Sequence, residues 1–266
     1  MKRLYLGVIT VSALCLVFQT AQASLLFSEG FNYSPGALNP ANTGNVWNGG
    51  SSQINVVSGD LTYAGLQDLG GNELEIGNTT AGSVYATFAN QTSGQIYYSF
   101  LFDPTAADSG NNYFTAMNPG TSTPNGSSDA IDAYYYSSGK IELRANAQSA
   151  TAGTGPVLTI GTTYLIVEMI DLTAKTASLW IDPDSSTFGT LTPPTATATL
   201  SSITATAIDD VGFKSQGVTA GPYYVDNLLI GTTWADVTPV PEPSTFALMG
   251  LGVLGLISSA RRRMRR

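Results

Sequence analysis

An alternation of period two through the middle of the chain, with no helical stripe beside it, limits the fold more than any other feature. Ile96, Tyr98, Phe100 and Phe102 alternate with Tyr97, Ser99 and Leu101. Tyr164, Ile166, Glu168 and Ile170 alternate with Leu165, Val167, Met169 and Asp171, and Ala177, Leu179 and Ile181 with Ser178, Trp180 and Asp182. Successive strand side chains point to opposite faces, so this pattern predicts strands. Turn signals punctuate them: Ser58-Gly59-Asp60, Gly70-Gly71-Asn72, Ser109 to Asn112, Pro124-Asn125-Gly126, Ser137-Ser138-Gly139 and Asp171 to Lys175. No repeat of fixed period is present, which argues against a propeller or solenoid. The prediction is an all-β, antiparallel β-sandwich of the jelly-roll type. Thr192 to Pro194 and Asp236 to Pro243 read as loop and linker.

The two ends are of a different kind. Lys2-Arg3 is a basic start, Leu4 to Phe18 an apolar run, and Ala21-Gln22-Ala23 a small-x-small site. Together they predict a signal helix cut by signal peptidase after Ala23. Cys15 lies inside that apolar run, and Ala13-Leu14 before it lacks the small residue of a lipoprotein site. At the other end stand Pro241-Glu242-Pro243, the uncharged run Ser244 to Ala260, and the arginines Arg261, Arg262, Arg263, Arg265 and Arg266. The run of 17 residues covers roughly 25 Å as a helix, the lower limit for a transmembrane helix. The arginines act as a stop that stays in the cytoplasm. The two prolines hold the motif extended and outside the helix, where a membrane protease can reach it. The organisation is therefore a signal peptide at 1–23, a sandwich domain at 24–237 and a tail at 238–266.

Motif, short span and basic stop, in that order, resemble the PEP-CTERM sorting domain of bacteria that make extracellular polysaccharide. The resemblance implies export, transient membrane anchoring and processing at Pro241-Glu242-Pro243 by an exosortase, with delivery to the cell surface or matrix. The tail ends in arginine, unlike a GPI signal, and no Leu-Pro-x-Thr-Gly motif is present.

Composition narrows the chemistry. The chain has no histidine, which removes Ser-His-Asp triads, histidine bases and histidine-ligated metals. The exported region has no cysteine, hence no disulfide. Its only bases are Lys140, Arg144, Lys175 and Lys214 against 18 acids, a net charge of −14. That argues against nucleic acid or an anionic polysaccharide as partner and favours cations or neutral sugars.

Phe27 to Tyr33, Leu179-Trp180-Ile181-Asp182-Pro183 and Tyr223 to Trp234 resemble segments of laminin-G-like or concanavalin A-like jelly rolls. In such folds the first and last strands pair, which implies that Glu29 and Asp226 lie near one another. Related modules carry a structural calcium near the terminal strands. Calcium takes 6–8 oxygen ligands, and Glu29 and Asp226, with Asn32 and Asn227, are the expected donors. Asp182-Pro183-Asp184 reads instead as an Asx turn.

Paired carboxylates are the requirement for a glycosidase. Glu73-Leu74-Glu75 puts two acids on one strand face, but Gly77 stands where a third belongs. Glu168 and Asp171 point to opposite faces and read as polar residues of an exposed face. Trp47, Tyr63, Tyr97, Tyr134, Tyr136 and Trp180 read as core, with sugar stacking only as a property of a whole face. Tyr134-Tyr135-Tyr136 must put aromatics on both faces. The expected protein is non-enzymatic, a structural or weakly carbohydrate-binding component of surface or matrix; the alternative is a polysaccharide-active glycoside hydrolase or lyase.

Overall fold

The structure is a computed structural model that describes residues 25–77, 80–106, 111–120, 124, 129–146, 150–152, 155–216 and 222–241. The predicted signal helix, the predicted transmembrane helix and the five stop arginines lie outside the described residues. None of the described helices is long and apolar enough to cross a membrane.

Among the described residues sixteen strands follow one another: β1 (Leu25–Glu29), β2 (Gly36–Ala37), β3 (Trp47–Gly49), β4 (Ile54–Val57), β5 (Glu73–Ile76), β6 (Ala81–Gln91), β7 (Gln95–Pro104) and β8 (Asn111–Asn118). Then come β9 (Ile131–Tyr136), β10 (Ile141–Ala145), β11 (Ala150–Thr151), β12 (Tyr164–Asp171), β13 (Thr176–Ile181), β14 (Ala198–Ser201), β15 (Ile208–Gln216) and β16 (Tyr223–Gly231). Two four-residue helices, α1 (Pro40–Thr43) and α2 (Trp234–Val237), and a 3-10 turn at Ser185–Thr187 complete the described elements. Nine strands form one sheet in the order β14-β13-β12-β7-β16-β5-β4-β2, with β1 also on β16, and seven form the other in the order β11-β10-β9-β8-β15-β6-β3. Every strand pairing is antiparallel. The expected all-β sandwich is the fold.

The alternation sorts side chains as the sequence requires. Tyr98, Phe100 and Phe102 of β7 enter the space between the sheets, where Phe102 stacks on Phe114 at 4.8 Å. Trp47, Phe31 and Phe213 close one end of that core. Such rings bury large apolar areas, the main favourable contribution to folding.

The nine-stranded sheet is buried on its other face too. Tyr97, Leu101, Leu165, Val167, Trp180, Leu229 and Trp234 form a second apolar cluster there, with Leu61 and Leu66 from the β4–β5 loop. This is why Tyr164 to Asp171 has hardly any polar face: β12 is covered on both sides, and a two-sided strand reads as a continuous apolar run.

Two expectations are corrected. Glu168 does not lie on an exposed face: it has no exposed surface and points among the inter-sheet residues opposite Tyr98 and Leu179. Asp171 alone behaves as read, its carboxylate accepting the Thr173 and Ala174 N–H groups at 2.9 and 2.7 Å in the turn. The segment from Asp236 is not all linker. Trp234–Val237 is helical, held by a capping box in which Thr233 and Asp236 exchange bonds with each other's backbone. Thr238, just beyond it, has no exposed surface.

Candidate functional site

β1 does pair with β16, Glu29 opposite Leu228. The pairing does not bring the Glu29 and Asp226 carboxylates to one site. Glu29 shares a face of β1 with Phe27, toward the core. Its oxygens accept the Phe31 N–H at 2.8 Å, the Tyr33 hydroxyl at 2.6 Å and the Trp47 indole N–H at 2.9 Å. It thus ties the first strand to the opposite sheet. Burial first, and then Glu29 itself, push the Tyr33 phenol well above its ordinary range.

Asp226 lies on the other face of the nine-stranded sheet. β5 pairs with the first part of β16 and β1 with its second part, and a bulge after Asp226 marks the change of neighbour. Asn227 takes a left-handed φ of 49° in that bulge, a conformation asparagine tolerates. Asp226 accepts the Leu61 N–H at 3.0 Å and the Asn227 N–H at 2.7 Å, and Asn227 accepts the Leu69 N–H at 2.9 Å. Together they pin the β4–β5 loop over the sheet. Desolvation raises the Asp226 carboxyl to about 8, with Asp60 and Asp68 adding to it against the two backbone bonds. Asn32 is exposed. Among the described residues no group of three or more acids, cysteines or histidines is arranged to hold a metal ion. With its oxygens accepting three protein donors, Glu29 acts in this structure as a tie between β1, Tyr33 and Trp47.

The two acids of β5 have company that the sequence did not reveal. Glu75 stands beside Tyr224 of β16, and Tyr224 beside Asp103 of β7. The third carboxylate missing from the strand therefore comes from two strands away. Burial, then Asp103, Asp60 and Glu75, raise the Glu73 carboxyl, and burial raises Asp103. Glu73, Glu75, Asp103 and Tyr224 are all half-buried, open in part to solvent.

The outer face of the seven-stranded sheet is the aromatic one. Tyr135 points into the core, while Tyr134 and Tyr136 point outward, as three successive tyrosines must. Tyr113 of β8 packs beside Tyr134 with ring centres 5.5 Å apart. Arg144 lies 4.0 Å above the Tyr134 ring, pairs with Glu142 at 2.8 Å and bonds the Tyr136 hydroxyl. Lys214 stands 4.5 Å above the Tyr113 ring and bonds its hydroxyl. Two of the four bases of the exported region thus sit over tyrosines on one face, where cation–π attraction holds them. Beneath them Asp132 has no exposed surface, and its carboxyl lies against Asp129. Burial first and then Asp129 carry its carboxyl up to about 10.

The remaining aromatic candidates are not on this face. Trp47 is core. Tyr97 and Trp180 are buried around Trp234 on the far side of the other sheet, and Tyr63 leans on Phe188 there. Asp184 caps the 3-10 turn through the Ser186 N–H at 2.9 Å, and Asp182 accepts the Leu165 N–H at 3.0 Å, both local structural roles.

Comparison with solved structures bears on the fold. A sialidase superposes with a TM-score of 0.51 at 12% identity, over 81% of this chain and 19% of its own. A Trypanosoma rangeli sialidase in complex with 2,3-difluorosialic acid gives 0.48 at 10%, over 80% and 32%. Lectin II from Ulex europaeus gives 0.46 at 14%, over 79% and 98%. At such identities the likeness concerns the fold alone, and the chain spans less than a third of either sialidase's length. No curated protein sequence matches. Residues 239–263 match the PEP-CTERM protein-sorting motif, and this β-sandwich therefore carries a C-terminal signal that implies export and processing by an exosortase.

Proposed function

We propose that this is a surface or extracellular-matrix protein, brought out by the signal peptide at 1–23, anchored for a time through 244–260 and then processed. Its sandwich has a structural or weakly carbohydrate-binding role and no catalytic one. The observation that carries the binding part is the tyrosine platform of the seven-stranded sheet. Tyr136, Arg144, Glu142 and Lys214 keep part of their surface open, while Tyr113 and Tyr134 are 5% and 4% exposed beneath the two cations. A ligand there meets one ring edge and several hydrogen-bonding groups, which suits weak binding of a hydroxyl-rich neutral sugar. The charge of −14 on the exported region supports a neutral polysaccharide over an anionic one. A glycan array probed with the secreted protein tests this: Tyr136→Ala and Arg144→Ala should each abolish the signal. Unchanged binding by both variants moves the site elsewhere.

The row Glu73, Glu75 and Asp103 beside Tyr224 favours a second reading, a polysaccharide-active hydrolase. Glu75 and Asp103 are two strand spacings apart, roughly 9.5 Å between backbones, near the upper end of the range for an inverting pair. Release of reducing ends from neutral polysaccharides, lost in Glu75→Gln and Asp103→Asn, would establish it in place of the binding role.

A further inference from the structure

The sorting signal begins inside the folded domain. The matched motif starts at residue 239, yet the Pro239 carbonyl still accepts the Gln67 N–H at 2.7 Å. One residue earlier, the Thr238 carbonyl accepts the Gly189 N–H at 2.8 Å, and its hydroxyl donates to the Trp234 carbonyl at 2.8 Å. The Val237 carbonyl accepts the Ser99 hydroxyl at 2.8 Å. Three successive carbonyls are thus taken by donors from three separate segments: β7, the loop after the 3-10 turn, and the β4–β5 loop. Trp234 anchors the strap, fully buried, with its indole donating to the Thr187 carbonyl at 3.1 Å. Gly189 has a left-handed φ of 68°, which favours glycine, and a β-carbon there would come within 3.2 Å of the Val240 side chain, so the strap lies close against it. Exposed chain resumes at Val240 and Pro241.

We propose that this strap is a processing gate: the exosortase step proceeds only when Thr238 to Val240 peel away from Gly189 and Gln67. A protease takes its substrate as an extended strand held through backbone hydrogen bonds on both sides of the cut. Here the backbone just before Pro241-Glu242-Pro243 is already bonded to the domain. The free reach is short. Val240 to Pro243 spans at most about 14 Å when extended, and the apolar run begins at Ser244. On this proposal an anchored precursor would hold the domain body close to the membrane, with the Gly189 and Gln67 loops bonded to the backbone just upstream of the motif. The rate of release follows the fraction of molecules whose strap is open.

The test uses the full chain in a host that contains the exosortase, with precursor half-life read by pulse-chase. A five-residue Gly-Ser spacer between Val240 and Pro241 leaves the domain untouched and should shorten the half-life several-fold. Thr238→Val and Ser99→Ala, which each remove strap bonds, should shorten it too, and Thr238→Val added to the spacer should bring no further gain. Amide exchange at Gly189 and Gln67 should quicken in Thr238→Val while the β7 amides stay protected, separating an opened strap from a lost fold. A spacer variant processed no faster than the parent overturns the gate. The sorting reading on which it rests fails separately, if Glu242→Ala is processed normally.

Discussion

Removing the carboxyl of Glu168 should make this protein more stable, and increasingly so as pH rises. Glu168 has no exposed surface, and neither side-chain oxygen has a hydrogen-bond partner. Burial alone lifts its carboxyl from 4.5 to about 8, since nothing nearby compensates the ionised form. The unfolded chain ionises near 4.5 and the folded one near 8, so unfolding releases a proton between these values. Stability from this group is complete below pH 4.5 and falls through the window up to about 8, by about 1.4 kcal/mol per pH unit. At pH 7 the penalty is about 3 kcal/mol, and above pH 8 about 5. Glu168→Leu, similar in size and apolar, removes both this cost and the orphaned oxygens. For a domain of this length it should raise the melting temperature at pH 7 by roughly 6–12 °C. Glu168→Gln separates the two contributions: near parity with the parent at pH 5, and a gain of about 3 kcal/mol or more at pH 8. Chemical unfolding of the exported domain between pH 5 and 9 measures both. If the Gln variant and the parent lose stability in parallel across that range, Glu168 does not ionise on unfolding and the reasoning is wrong.

Further outcomes follow from the site geometry. Trp47→Phe removes one of three donors to a buried carboxylate and should cost about 1–3 kcal/mol in urea unfolding, with Tyr33→Phe close behind; a neutral Trp47→Phe would show that Glu29 does not tie the sheets together. Asp226→Asn removes a carboxyl raised to about 8 that ionises on unfolding, but its single oxygen keeps only one of the Leu61 and Asn227 N–H bonds, so relative to the parent it should gain stability as pH rises from 5 to 8; a difference that does not change with pH would contradict this. Melting curves with millimolar calcium and with chelator should coincide, since Glu29 and Asp226 face opposite sides of the sheet and share no site, and a calcium-dependent rise of several degrees would restore the ion to one of them. Glu242→Ala should accumulate membrane-bound precursor in the native host, and normal release at normal size would reduce the tail to a plain anchor.

Local pattern was enough to specify strands, their antiparallel class and the sorting signal at the C-terminal end. Strand alternation and the order motif, span, basic stop are written in neighbouring residues, so no tertiary knowledge is needed to read them. It also required that Tyr135 part company with Tyr134 and Tyr136, because period two admits nothing else. What it left open is which of two faces meets water. β12 carries Glu168 on one face and, at its very end, Asp171 on the other, and either face can be covered. That choice belongs to the β4–β5 loop and α2, which close over the outer face of the nine-stranded sheet and leave Glu168 facing inward. The same limit explains Glu29 and Asp226: pairing of the first and last strands follows from the fold resemblance, but a bulge at Asn227 and the pleat decide that one carboxylate faces Trp47 and the other Leu61. Asp103 joins Glu73 and Glu75 only through register across three strands, and the strap from Trp234 to Pro239 exists only because distant loops supply its donors. Alternation along one strand is a local property of the chain; burial, register and the partner of a lone carbonyl are set by what packs against it.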